Sequence, residues 1–211
     1  LYLGDAKTWE SAENQLRELA KERGVAVTEA PGEAAFYGPK LDFMGRDSLG
    51  REWQLATIQL DFNMPERFKL SCVNEQGDKE RITMLHYAIM GSIERFMSIL
   101  IEHYAGAFPV WLSPVQVKVL PITDAHNEYA QTVVKKLSAT GIRVELDDRS
   151  ERLQAKIRDA QLQKIPYMLV VGDKEAAEGT VAVRSRDTKE QTVVGLDVFV
   201  DQVTSENKKR V

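Results

Sequence analysis

Two side chains near the middle of the chain stand where chemistry could occur. His86 lies inside the apolar run MLHYAIM, and Arg95 follows nine residues later, beyond a Gly91-Ser92 step. A neutral imidazole is a good zinc ligand, but a lone histidine in an apolar strand reads more readily as a core residue satisfied by a neighbour. No C-x-x-C or H-x-x-x-H accompanies it, and Cys72, His103 and His126 stand in other contexts, so spacing alone assembles no complete metal site. Arg95 falls in what reads as the first turn of a helix, where the macrodipole gives a cation no help. A guanidinium held at such a corner can stack on a base and bond phosphate oxygens; the alternative is a solvated arginine paired with a nearby acid. A second group is strung along two strand-like stretches: Tyr37 and Lys40 in AFYGPKLDF, and Gln54, Thr57 and Gln59 in REWQLATIQLDF. Thr57 and Gln59 share one strand face, whereas Gln54 points to the other unless a bulge intervenes. Neutral donors and acceptors set among apolar neighbours suit a small polar ligand, as they would an exposed sheet face. Farther on, GDKE with Glu175 follows an apolar strand directly, at the carboxyl end where open α/β sheets bind ligands, and Arg184 lies on the next strand. An ordinary turn and a surface arginine would look the same. No G-x-G-x-x-G or Walker pattern is present.

These residues need elements to hold them. Helical spacing of Trp9, Ala12, Leu16, Leu19 and Ala20 predicts a helix over 8–23, stopped by Gly24, followed by a short strand at 25–28. Residues 35–43 and 51–62 read as an antiparallel hairpin across a turn rich in Gly and Asp, and a second hairpin is expected around Gly77. Residues 82–90 read as a strand. Ser92 then suits a helix N-cap, and Ile93, Phe96, Met97, Leu100, Ile101 and Tyr104 fall on one helical face, with Arg95 off that stripe. The two prolines of FPVWLSPVQ, 108–116, make it the linker candidate. Beyond it, strands at 115–122, 142–146, 167–171, 181–186 and 191–195 alternate with helices at 124–137, 150–164 (capped by Ser150) and 196–203. That alternation predicts a small α/β domain with a mostly parallel sheet, and the polar end, 204–211, is expected to fray.

Composition narrows the classes. The 211 residues suffice for two small domains. A single cysteine allows no internal disulfide and fits a reducing, cytoplasmic setting. The net charge is −4, −5 before residue 112 and +1 after it, so bulk charge announces no nucleic acid and any RNA contact must be local. No run is long enough for a membrane span, so no membrane partner is expected. Because the first residue is Leu1 rather than Met, we expect a piece of a longer chain.

In order, GEAAFYGPKLDF, WQLATIQLDF, LHYAIMGSIERF, FPVWLSPVQV, GIRVELDDR, KIPYMLVVGDKE and VAVRSRD resemble the C-terminal half of the bacterial-type threonyl-tRNA synthetases, over roughly residues 3–203. GSIERF resembles motif 3 of the class II synthetases. The resemblance implies an α+β antiparallel-sheet class II catalytic core, in part, over 1–111, followed by a small α/β anticodon-binding domain over 112–211. It implies that His86 is one of three zinc ligands, the others lying upstream, and that Zn2+ binds the amino and hydroxyl groups of threonine. It implies that Arg95 holds ATP, which is used with Mg2+, and that Gln54 and Thr57 belong with it in the catalytic set. Tyr37, Lys40, Gln59 and Ser92 are implied substrate-binding positions. Glu175 and Arg184 correspond to anticodon-contacting positions, and Ser150 and Lys164 to positions where relatives often carry Asn and Arg. The implied activity is ATP-dependent ligation of threonine to tRNA(Thr) through a threonyl-adenylate, by a homodimer whose motif 1, motif 2 and editing region lie upstream; this chain alone is not expected to aminoacylate. Two alternatives are a synthetase for proline, glycine or histidine, and a non-enzymatic tRNA-binding module derived from a synthetase.

Overall fold

A computed structural model describes residues 2–188 and 190–210. The chain divides into two compact units, Leu1–Ser98 and Ile99–Val211.

The first unit opens with helix α1 (Ala6–Glu22), whose N-cap Asp5 accepts the Thr8 amide at 2.9 Å. Strands β1 (Lys40–Arg46), β2 (Glu52–Asp61) and β5 (Met84–Ala88) form an antiparallel sheet with β2 in the centre. The short helix α2 (Asn63–Arg67) and the two-stranded ribbon of β3 (Ser71–Val73) and β4 (Lys79–Arg81) connect β2 to β5. Helix α3 (Ile93–Tyr104) follows. The register sorts side chains by chemistry. Leu41, Ile58 and Tyr87 lie side by side on one face, and Lys40, Gln59 and His86 on the other. The apolar face is open: Leu85 and Tyr87 are each 63% exposed.

Two expectations need correction in this unit. Residues 25–28 form no strand; Val25 and Val27 are both more than half exposed, with no strand beside them to complete a ladder. The first hairpin strand begins only at Lys40, because the chain before it makes a turn closed by an Ala35–Gly38 bridge. The apolar stripe of α3 exists, but no residue of that helix is buried.

The second unit is a five-stranded sheet in the order β10-β9-β8-β6-β7, built from β6 (Val117–Pro121), β7 (Val144–Leu146), β8 (Tyr167–Val171), β9 (Thr180–Ser185) and β10 (Gln191–Gly195). It is mixed rather than mostly parallel. β6 pairs in parallel with β7 and β8, where helices make the crossovers, whereas β8–β9 and β9–β10 are antiparallel. Strand alternation feeds a core on each face. Val117, Val119, Leu169, Val171, Val181 and Val183 pack with α4 (Asn127–Ala139) and α7 (Leu196–Lys209) through Val133, Leu137, Phe199 and Val203. Leu120, Met168, Val170 and Ala182 meet α5 (Leu153–Leu162) through Ile157 and Ala160.

The proline-rich stretch 108–116 is packed rather than loose. Val110 and Gln116 are buried, the Ser113 hydroxyl donates to the Phe108 carbonyl at 3.1 Å, and Arg143 donates to the Ser113 and Trp111 carbonyls. Nor does the segment 204–209 fray, while Val211 lies outside the described residues. Helix α7 runs on to Lys209 because Asn207 accepts from the buried Gln116 amide at 2.7 Å and Glu206 accepts from the Tyr167 hydroxyl at 2.9 Å. Ser150 does not cap α5, which starts three residues later behind Arg152 with no side-chain cap.

The Tyr167–Glu206 contact carries a pH dependence. Burial, and then the Glu206 hydrogen bond, push the Tyr167 phenol from 10.0 up to about 12. A folded pKa above the unfolded one means stability that is fully present below the unfolded value and is lost as pH rises through the folded value. Thermal melts are therefore expected to fall between about pH 10 and 12. Tyr167→Phe should remove that alkaline loss and lower stability near neutrality by about 1–2 kcal/mol.

Candidate functional site

The polar face of the first unit's sheet gathers six of the singled-out residues. The 35–39 segment lies along the end of β2: the Leu60 amide donates to the Pro39 carbonyl at 3.0 Å and the Phe62 amide to the Tyr37 carbonyl at 3.4 Å. Only glycine fits at Gly38, where a Cβ would stand 1.9 Å from the Leu60 carbonyl oxygen. That close approach brings Tyr37 over the sheet. Its hydroxyl donates to Gln59 Oε1 at 2.5 Å, and its ring meets the His86 ring edge-on with centroids 5.6 Å apart.

A β-bulge settles the position of Gln54. Phe43 pairs with Ala56 but Met44 pairs with Gln54, which leaves Leu55 as the extra residue of β2. Gln54 thereby joins the polar face and donates to Asp42 Oδ1 at 2.8 Å, while Lys40 bonds Asp42 Oδ2 at 2.5 Å. Burial alone would raise the Asp42 pKa, but the Lys40 ammonium and the Gln54 amide outweigh it and hold the carboxyl below its ordinary value. The Thr57 hydroxyl lies near enough to favour the same ionised form, yet its buried oxygen meets no partner in hydrogen-bond geometry. A buried hydroxyl without a partner costs free energy that a bound ligand could recover.

His86 is fixed from behind. Its Nε2 lies 2.8 Å from Asp61 Oδ2, and Asp61 is 1% exposed. The other carboxylate oxygen accepts the Asn63 amide at 2.8 Å and the Met64 amide at 3.0 Å. Burial would raise the Asp61 pKa; the His86 ring and then those two amides reverse the shift, so the carboxyl sits below its ordinary value. Among the described residues no three His, Cys, Asp or Glu side chains come together to hold a metal, and Cys72 is exposed on the β3–β4 ribbon. His86 fits the part of one ligand, an imidazole with a carboxylate behind it.

The corner before α3 is brought in by Gly91, which has φ +59°, and whose Cβ would stand 2.7 Å from the Gln54 carbonyl oxygen. Ser92 caps the helix, accepting the Arg95 amide at 3.3 Å and donating to Glu94 at 2.7 Å. Arg95 is exposed, and among the described residues its guanidinium has no hydrogen-bond or ion-pair partner. Arg95 has no acid partner among the described residues, and His86 is partly exposed and satisfied by Asp61 rather than enclosed in apolar core. Asp42 and Asp61 escaped the sequence reading. Strand alternation could have found both, since each stands two residues beyond a singled-out polar residue, Lys40 and Gln59.

In the second unit, Glu175 sits on α6 (Asp173–Glu178) just past β8, where its carboxylate accepts the Gly172 amide at 3.0 Å. Arg184 lies on β9 opposite Met168, and its Nε is buried with no hydrogen-bond partner among the described residues. Lys164 precedes β8 with φ +56° and donates to the Ala105 carbonyl; Ser150 is exposed after β7. No hydrogen bond or ion pair joins any two of these four among the described residues. His126 is a satisfied structural histidine, held by Thr123 and by Asp173 at 3.0 Å.

The first unit carries an antiparallel sheet with one polar face, and a mixed α/β unit follows it in the chain. Residues 4–104 match the tRNA synthetase class II core domain (G, H, P, S and T), and residues 116–206 match the anticodon binding domain. The threonine–tRNA ligase of Sulfurihydrogenibium sp. is 56% identical over 96% of this chain and 31% of its own length. That of Clostridioides difficile is 53% identical over 99% of this chain and 33% of its own. The crystal structure of the RNA binding domain of threonyl-tRNA synthetase from Cryptosporidium parvum superposes with a TM-score of 0.78 at 40% identity, covering 97% of this chain and 52% of that one. The chain belongs to the threonine–tRNA ligase family, and spans about a third of the length of the curated relatives it matches.

Proposed function

We propose that the protein carrying this chain ligates threonine to tRNA(Thr) in two steps. A carboxylate oxygen of threonine attacks the α-phosphorus of ATP and pyrophosphate leaves; a 3′-terminal ribose hydroxyl of the tRNA then takes the threonyl group from AMP. Neither step needs a protein nucleophile, so the chain contributes by positioning and by offsetting charge. Arg95 would hold ATP, and Mg2+ would offset part of the phosphate charge. Tyr37, Lys40, Gln54, Thr57, Gln59 and Ser92 surround threonine and ATP. His86 would supply one nitrogen to Zn2+, and the bound ion would offer Lewis-acid chemistry to threonine. Glu175, Arg184, Lys164 and Ser150 face the anticodon. Residues 1–111 act as the catalytic part and 112–211 as the anticodon-binding part of a cytoplasmic homodimer.

The observation that carries this reading is the single polar face on which Tyr37, Gln59 and His86 adjoin the Lys40–Asp42–Gln54 group. The relatives named above are threonine ligases, which favours this reading over a proline, glycine or histidine enzyme and over a pure RNA binder. Amino-acid-dependent pyrophosphate exchange tests it. The full-length protein should respond to threonine and reject valine, which lacks the hydroxyl a polar site is built to bond, by about 10⁴-fold or more. Exchange with proline, glycine or histidine instead, or tRNA binding without any exchange, contradicts it.

A further inference from the structure

We propose that Asp61 is a positioning residue that selects the tautomer of His86 and so decides which imidazole nitrogen can bind the metal; this rests on the zinc reading above. The carboxylate is nearly inaccessible and both of its oxygens are engaged. Oδ1 accepts two backbone amides, of Asn63 at 2.8 Å and of Met64 at 3.0 Å, which fixes its orientation; Oδ2 faces His86 Nε2 at 2.8 Å. An ionised carboxylate can only accept, so Nε2 must carry the proton. In a neutral ring that leaves the lone pair on Nδ1, and Nδ1 is the ligating atom. The Tyr37 ring, edge-on to the imidazole, further restricts the plane in which that lone pair points. A histidine tautomer set by the bond its other nitrogen makes is the ordinary way a ligand is oriented.

Asp61→Asn separates this role from the structural one. The Asn carbonyl oxygen must stay on the two backbone amides, since the flipped side chain would set donor against donors. Its NH2 group then occupies the Oδ2 position and donates to Nε2, which forces the proton onto Nδ1. The bonds to the Asn63 and Met64 amides survive and the wrong nitrogen is left free.

Two measurements on the full-length protein test this. Zinc affinity by chelator competition should fall about 10–100-fold in Asp61→Asn, with the melting midpoint of the zinc-free protein unchanged. Nitrogen-15 NMR of the zinc-free, unsubstituted protein, with the His86 signals assigned by their loss in His86→Gln, should show Nε2 protonated and Nδ1 bare. An unsubstituted protein that binds zinc, with a variant that binds it equally tightly, overturns the inference alone, and so does a proton found on Nδ1. An unsubstituted protein that binds no zinc overturns the metal reading and this inference together. If the variant does not fold, the NMR result on the unsubstituted protein decides.

Discussion

Arg95→Ala in the full-length enzyme is expected to lower kcat/KM for ATP in threonine-dependent pyrophosphate exchange by about 10²–10³-fold, the loss typical of removing one preorganised group that stabilises developing charge. Gly91 lets the chain turn hard against the Gln54 carbonyl, and Ser92 then caps α3, so the first turn of the helix is fixed beside the polar strand face. A cation there is not helped by the helix dipole and has no acid partner among the described residues. Because Arg95 is exposed and holds no part of the fold together, the stability of the variant should change by less than the ~0.5 kcal/mol usual for surface substitutions. The affinity for tRNA should not change. Arg95→Lys keeps the charge but loses the planar fork, and is expected to recover only part of the activity. Equal exchange rates in Arg95→Ala and the unsubstituted enzyme would remove this residue from the site.

His86→Ala should have the larger effect, and on the other substrate. Loss of a ligand imidazole is expected to empty the metal site and to reduce threonine activation by about 10³-fold or more, the several kcal/mol that a metal contact supplies. It also leaves Asp61 with one fewer partner. A buried carboxylate that loses a hydrogen bond costs about 1–3 kcal/mol, so a moderate fall in melting temperature should accompany the activity loss. The two variants therefore separate: Arg95→Ala changes the ATP dependence with unaltered stability, whereas His86→Ala changes the threonine dependence with a measurable stability cost. A His86→Ala enzyme that retains its zinc and its preference for threonine over valine would contradict the assignment.

Most of the elements could be read from periodicity, because helices α1, α4 and α7 and the buried strands of the second unit carry strong patterns. What periodicity could not supply was tertiary context. The apolar residues at 25–28 suit a strand, but a strand needs a neighbour, and none stands beside them. The prolines of 108–116 read as a linker, although Val110 fills the core and Gln116 ties two distant segments together. The polar end of α7 looked free to fray, and its holding contacts reach across 91 and 39 residues to Gln116 and Tyr167. The site was legible in its residue types and in the order of its motifs. Its geometry was not: Gln54 reaches the right face only through a bulge at Leu55, and the acids behind Lys40 and His86 passed as ordinary strand residues.

The most direct test is a crystal structure of the full-length enzyme bound to a non-hydrolysable threonyl-adenylate analogue, with anomalous data collected at the zinc edge. The account predicts an anomalous peak about 2.0–2.1 Å from His86 Nδ1, the threonyl group against Tyr37 and Gln59, and adenine on the Arg95 guanidinium. An analogue bound away from the Lys40–Gln59–His86 face, or density with no metal beside His86, would contradict it.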